Sequence, residues 1–168
     1  MEVVADLHVL AQVAITLGGF TGIIGVLQSR GGRELTDLQR MHLAGMLFAT
    51  VLVGFLAFIP SWVSRLFQSG EEIWFWSIRI LLATHLLAWV ISVPYWKRGG
   101  LMLKAFPPID QLGTLLILVI GVVAVAAEVY LVFGHSLHLA PFVYEGVLIF
   151  FLGMGLFSFV RLLLERPE

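Results

Sequence analysis

One segment constrains this chain more than any other. Residues 112–134 form an apolar run in which Glu128 is the one charged residue. A helix needs about 20 predominantly apolar residues to cross a hydrocarbon core of about 30 Å, and this run is long enough. A carboxylate at such depth costs a few kcal/mol unless a partner, a proton or a water-filled cavity compensates it. The segment therefore predicts a transmembrane helix whose carboxylate is compensated by groups on other helices of the chain.

The composition agrees with a membrane protein. Of the 168 residues, 60% are hydrophobic and 12% are charged, whereas a soluble domain has about 25% charged residues. The net charge of −1 gives no indication of a nucleic-acid partner. The chain has no cysteine, which excludes disulfides and thiolate chemistry. We expect a single transmembrane domain over residues 1–168 whose surroundings are the lipid bilayer.

Four further apolar segments have the length of a membrane span. With the first they predict an all-α bundle of five transmembrane helices, at about residues 9–27, 41–67, 73–96, 112–134 and 142–164. Pro60 lies within the second of these segments and is expected to bend or loosen that helix, because proline lacks the N–H that continues the hydrogen-bond ladder.

The distribution of positive charge predicts the orientation of these helices. Lysine and arginine occur in the first and third connections and near the C-terminus, as Arg30, Arg33, Arg40, Lys97, Arg98, Lys104, Arg161 and Arg166. The N-terminus and residues 68–72 and 135–141 have none. Because cytoplasmic loops carry the excess of positive charge, the N-terminus is predicted outside and the C-terminus in the cytoplasm. We expect an integral protein of a bacterial inner (plasma) membrane.

Small residues form stripes on the first two predicted helices. Gly18, Gly22 and Gly25 share a face of the first helix, and Gly54 and Ser61 share a face of the second. Small side chains let helices approach closely in lipid, where no hydrophobic force draws them together. The stripes predict either packing of these two helices within one chain, or a subunit interface or narrow pore lining in a homo-oligomer.

Three ionisable residues fall within the third and fourth spans. Side chains on a helix lean toward its N-terminus. Arg79 and His85 therefore lean outward, and Glu128 leans inward, so that His85 approaches the depth of Glu128. Gln12 and Thr16 place polar atoms at comparable or shallower depth on the first helix. These five residues could line one polar pocket that is open to the outside.

Two interpretations of this group remain open. A buried pair of Glu128 with Arg79 or His85 could simply fix the register of the helices. Alternatively, the group forms a titratable or cation-binding site on a permeation path. A histidine–glutamate pair in low dielectric has coupled protonation, which a proton relay or gate requires.

A weaker hypothesis concerns the fourth connection. His135 and His138 have the spacing His-x-x-His, and Glu145 follows on the same predicted side. Imidazole and carboxylate together suit zinc or another transition metal. Histidines in a short loop are more often ordinary interfacial residues, and we expect no resident cofactor.

The sequence lacks the common motifs of enzymes. It contains no P-loop, dinucleotide-binding fingerprint, zinc-protease motif or nucleophile elbow, and we expect no enzymatic activity. The first functional hypothesis is a small oligomeric channel or transporter that conducts a cation or a proton past Glu128. The second is a non-conducting structural or accessory subunit of a larger membrane complex. The third is a module on the outer side that binds a metal or a lipophilic cofactor.

Overall fold

The computed structural model describes residues 2–30, 36–102, 108–134 and 136–164. These residues are helical apart from short connections, and no strand occurs among them, which confirms the all-α prediction. Five helical segments within them are long and apolar enough to cross a membrane: Asp6–Val26, Gln39–Val63, Gly70–Ser92, Gln111–Val132 and Leu137–Leu164. The orientation in the membrane stays a prediction. Arg33, Lys104, His135 and Arg166 lie outside the described residues.

Six α-helices follow one another within the described residues. They are α1 (Glu2–Arg30), α2 (Asp37–Leu56), α3 (Ile59–Val63), α4 (Gly70–Met102), α5 (Pro108–Val132) and α6 (Ala140–Leu164), with a 3₁₀ turn at Leu137–Leu139 before α6. Helices α1, α4, α5 and α6 are longer than the apolar segments from which they were predicted.

Local sequence signals set the beginning of α2. Thr36 is its N-cap: the Thr36 hydroxyl accepts a hydrogen bond from the Gln39 backbone N–H, and the Gln39 side-chain oxygen accepts one from the Thr36 N–H, both at 3.1 Å. This reciprocal pair satisfies two donors that the first turn of a helix leaves without a partner.

The second predicted span is interrupted where Pro60 requires it. Helix α2 ends at Leu56, and α3 begins at Ile59. Proline has no N–H to donate to the carbonyl four residues earlier, so the regular ladder cannot pass this point. The intervening turn is tightened by a bond from the Phe58 N–H to the Phe55 carbonyl at 3.2 Å. The expected break is confirmed at this position.

The chain divides into two compact units. The first unit comprises residues 1–62 and 145–168, and the second comprises residues 63–144. In the first unit, α2 packs closely on both α1 and α6 through glycines. A Cβ atom at Gly18 of α1 would lie 3.2 Å from the Thr50 hydroxyl oxygen, and one at Gly155 of α6 would lie 3.4 Å from the Ala49 Cβ. The single transmembrane domain that we expected over residues 1–168 stays a prediction.

In the second unit, α4 and α5 pack antiparallel. Arg79 contacts Val132, and His85 contacts Glu128, so the order of the contacts along α5 is the reverse of that along α4. The 3₁₀ turn also packs on α4.

Candidate functional site

The centre of the second unit holds a buried histidine–glutamate pair. His85 Nδ1 lies 2.8 Å from Glu128 Oε1, and the two side chains are 1% and 0% exposed. On α4, His85 belongs to a buried stripe with Ser77, Leu81 and Ala88, whose spacing of four, four and three residues follows the helical period. On α5, Gly121 is buried two turns before Glu128, which leaves room for the side chains of a neighbouring helix.

The pair can hold its proton in two ways. The contact joins an imidazolium to a carboxylate when the proton is on nitrogen, and an imidazole to a carboxylic acid when it is on oxygen. Burial disfavours separated charges, whereas the hydrogen bond stabilises them. The two forms differ only by a proton shift along one 2.8 Å contact. The proton can therefore pass from one residue to the other without movement of a heavy atom.

The second oxygen of Glu128 is not satisfied in the same way. Glu128 Oε2 is buried and has no hydrogen-bond partner among the residues that the structure describes. A buried polar atom without a partner costs about 1–3 kcal/mol, and more when it is charged. This oxygen is therefore the atom at which a proton, a water molecule or a cation gains most by binding.

Arg79 does not pair with Glu128. Its Nη2 donates a hydrogen bond to the Val132 carbonyl at 3.2 Å, and its guanidinium carbon lies 3.3 Å from the centre of the Phe75 ring. Phe75 precedes Arg79 on α4, so the side chain extends toward the helix N-terminus, as the helical lean predicts. The sequence left both Arg79 and His85 as possible partners of Glu128, and the structure shows that the partner is His85.

The hydrogen bond from Arg79 caps the C-terminal end of α5. Val132 is the last residue of that helix, and a helix C-terminus presents carbonyls without intrahelical partners and a partial negative charge. Gly134, with a positive φ of 84°, donates its N–H to the Leu131 carbonyl at 2.9 Å, and Arg79 supplies a donor to the next carbonyl. The left-handed conformation at Gly134 is the usual reason for glycine at this position.

Glu128 lies close to the end of its own helix, but its partner His85 lies far from the beginning of α4. Glu128 lies one turn, about 6 Å, before the end of α5, whereas His85 lies about 22 Å from the beginning of α4. The His85 side chain leans toward the beginning of α4, and the Glu128 side chain leans away from the end of α5. For the two to meet, α5 must end on the order of 10 Å short of the level at which α4 begins. If α4 begins at the outer surface, as predicted, the pair lies near the middle of a 30 Å hydrocarbon core.

Two aromatic residues that the sequence did not single out, Tyr144 and Trp89, lie near this pair. Tyr144 is fully buried, and its ring meets that of Trp74 edge-on at 5.8 Å. The Glu128 carboxylate is near enough to Tyr144 to interact with it electrostatically. Trp89 lies edge-on to His85 at 6.3 Å. Tyr144 shares a buried helical stripe with Leu148 and with residues 151 and 155, which is the periodic signal that could have indicated its burial.

Two predicted site residues lie in the first unit. Gln12 and Thr16 are exposed on α1, and the Thr16 hydroxyl donates to the Gln12 carbonyl at 2.8 Å. This bond within α1 satisfies the Thr16 hydroxyl without a partner from another helix. A role for these two residues in the ion path stays a prediction.

The small-residue stripes divide into a packed part and an open part. Gly18 faces Thr50 and Gly25 faces Leu43, whereas a Cβ at Gly22 or Gly54 would meet no atom within 4 Å. Gly54 also lines an apolar groove between α1 and α2, together with Ala14, Ile15, Gly18, Leu47, Thr50 and Val51. Ser61, the last member of the second stripe, lies 3.4 Å from His8 Nε2.

The metal hypothesis receives no further support. His138 is exposed in the 3₁₀ turn and Glu145 is partly buried in α6, while His135 is outside the described residues. Within the described parts of the chain, no three histidine, aspartate or glutamate side chains converge in a way that could hold a metal ion. Metal binding at this connection stays a prediction.

Comparison with known proteins identifies no relative of this chain. No protein-family model matches the chain, and neither a curated protein nor a solved structure is significantly similar to it. A function for this chain is therefore inferred from the residues and contacts described above.

Proposed function

We propose that this protein is a small oligomeric membrane channel or transporter that conducts a proton or another cation through the site formed by Glu128 and His85. The observation that carries the proposal is the fully buried contact between these two side chains, at 2.8 Å, in helices apolar enough to span a membrane. Ionisable groups at such depth are costly and commonly mark ion or proton pathways.

The energetics favour a functional pair over a purely structural one. Replacing a buried ion pair by apolar side chains of similar volume is often neutral or stabilising, so packing alone does not require charge at this position. Glu128 Oε2 adds a further cost because it is buried without a partner among the described residues. A pair that served only to fix the register would be more stable with both oxygens satisfied.

The oligomer and the membrane setting belong to the same proposal. Gly22 and Gly54 leave open, close-approach surface on α1 and α2, which suits contact with a second copy of the chain. Five helices give little room for a private conduction path, and we propose that the path forms beside or between subunits. The proposed setting is a bacterial inner membrane, with the N-terminus outside.

Flux measurements on purified protein test this function. Wild type, Glu128→Gln and Glu72→Gln are reconstituted into liposomes, and proton and cation fluxes are followed between pH 5 and 8. Glu72 is a matched control because it is an exposed glutamate of the same unit, in the first turn of α4. We expect flux in wild type and Glu72→Gln and loss of flux in Glu128→Gln. A folded wild-type protein that conducts nothing overturns the proposal.

A second candidate function is a non-conducting accessory subunit of a larger membrane complex. It is favoured by the two contacts between α4 and α5, Arg79 with Val132 and His85 with Glu128, which together fix the register of these helices. The apolar groove between α1 and α2 then docks on the complex. This candidate predicts that Glu128→Gln reduces stability or assembly and that neither protein conducts alone.

A further inference from the structure

Helix α4 places a tryptophan directly after the buried pair. Trp89 follows His85 by four residues, about one turn, and the two rings meet edge-on with their centres 6.3 Å apart. A helical side chain covers the turn on the N-terminal side of its own Cα, so the indole of Trp89 lies over the turn that holds His85. Because we predict that α4 begins outside, Trp89 lies on the cytoplasmic side of the pair.

Trp89 is the side chain that covers His85 within the next turn of α4. Leu86 and Leu87 are 45% and 57% exposed and therefore face away from the neighbouring helices, and Ala88 is buried but ends at its Cβ atom. His85 is nevertheless only 1% exposed. Among residues 86–89, the indole is thus the one group that is both large and in contact with the imidazole.

The interface between α4 and α5 has short side chains on this side of the pair. The helices are antiparallel, so four residues further along α4 correspond to four residues back along α5, and Ala124 comes opposite Trp89. One turn further on, Ser92 of α4 comes opposite Gly121 of α5, and the buried stripe of α4 reaches Ser92 through Ala88. Displacement of the indole would therefore leave only small side chains at these positions between the pair and the Ser92 hydroxyl.

A conducting site cannot stay closed in this way. His85 and Glu128 are at most 1% exposed, so solvent does not reach them in this conformation. Exchange of a proton or cation with the cytoplasmic side requires that a covering group moves. An aromatic side chain moves by rotation about its own side-chain bonds, which requires less rearrangement than separation of two packed helices.

We propose that Trp89 is the inner gate of this site, whose indole closes the pair toward the cytoplasmic side and whose movement gives an ion access to it. The passage of an ion rests on the proposed function, whereas closure of the pair by the indole does not. The contact between two aromatic rings corresponds to a factor of about two to ten in a conformational equilibrium. Removal of the indole should increase access from the inner side by at least about twofold and up to about tenfold.

Thiol labelling tests the gate without requiring flux. The chain has no cysteine, so Ala124→Cys supplies a single thiol opposite Trp89. Its rate of reaction with a membrane-impermeant methanethiosulfonate reagent, present on both sides of proteoliposomes, is compared with and without Trp89→Ala. Trp76→Ala is the matched control, because it removes an indole of the same helix that stacks on Phe67 instead of contacting His85. Trp89→Leu, which removes the ring but keeps an apolar side chain, replaces the alanine variant if that variant does not fold.

We expect slow labelling with Trp89 in place and with Trp76→Ala, and labelling up to about tenfold faster with Trp89→Ala. In the chain without the added cysteine, proton flux read from an entrapped pH-sensitive dye should rise by a similar factor with Trp89→Ala and stay unchanged with Trp76→Ala. Equal labelling rates with and without the indole in folded protein overturn the gate, and so does wild-type flux that Trp89→Ala leaves unchanged. Faster labelling with no flux in any variant supports closure by Trp89 and overturns the conducting function instead.

Discussion

His85 and Glu128 lie 43 residues apart in the chain and 2.8 Å apart in the structure. Each belongs to a long apolar helix, and each is at most 1% exposed. The contact makes the helices mutually dependent, because either ionisable group alone would be buried without a counterpart. The proposed function therefore depends on one hydrogen bond between two helices.

Glu128→Gln should abolish proton or cation flux while leaving the fold largely intact. Glutamine has nearly the shape of glutamate, and its amide oxygen can accept the hydrogen bond from His85, but the amide cannot exchange a proton in the same range of pH. Flux into liposomes measures the first effect, and circular dichroism with gel filtration in detergent measures the second. Flux equal to wild type would contradict the assignment of Glu128.

His85→Leu should destabilise the protein by about 3–5 kcal/mol, because it leaves the buried Glu128 without its partner. The double variant His85→Leu with Glu128→Leu removes both polar groups and should recover most of that loss. The free energies of unfolding of wild type, His85→Leu, Glu128→Leu and the double variant, measured by denaturant titration in mixed micelles, give the coupling between the two sites. Additive effects of the single and double variants would show that the pair contributes no coupling energy.

Gly18→Leu should separate α1 from α2 and cost about 1–3 kcal/mol, as overpacking of a close contact does. A Cβ atom at position 18 already lies 3.2 Å from the Thr50 hydroxyl oxygen, so a larger side chain requires the helices to move. Gly19→Leu is the matched control on the same helix, since a Cβ atom at position 19 meets no atom within 4 Å and the residue is not part of the proposed interface. Equal stability of the two variants in micelles would argue against this packing.

Gly54→Leu tests the proposed oligomer. Gly54 lines the groove between α1 and α2, and a Cβ atom there has no neighbour within 4 Å. The added side chain should leave the stability of the monomer unchanged but fill the surface at which a second copy approaches. We expect weaker self-association by sedimentation in detergent and by cross-linking in liposomes. An unchanged oligomer would place the interface elsewhere.

Several features of this protein could be predicted from local sequence. The apolar segments predict the five long helices, because length and hydropathy alone determine whether a helix can cross a bilayer. The break at Pro60 follows from the missing N–H of proline. The lean of Arg79 toward Phe75, on the N-terminal side of α4, follows from helix geometry. Each of these depends on neighbours within a turn or two of the same helix.

The composition of the site depends on contacts between helices, which a sequence pattern does not contain. Counting residues along each helix placed Glu128 near the end of its own helix and left both Arg79 and His85 as possible partners. The actual partner depends on the stagger of α5 against α4, and that stagger results from the combined packing of many side chains. The burial of Tyr144 has the same origin, because a tyrosine near a helix end can lie either at the interface or inside the protein.

The sequence by itself thus determined that the chain forms long apolar helices and that a carboxylate lies within one of them, because these properties are local. Only the tertiary structure decided that His85 is the partner of Glu128 and that Arg79 caps α5 without an acidic partner among the described residues. The physical reason is that a buried charge is compensated by whichever group packing brings within about 3 Å, and a shift of one helical turn, about 5.4 Å, would change that group.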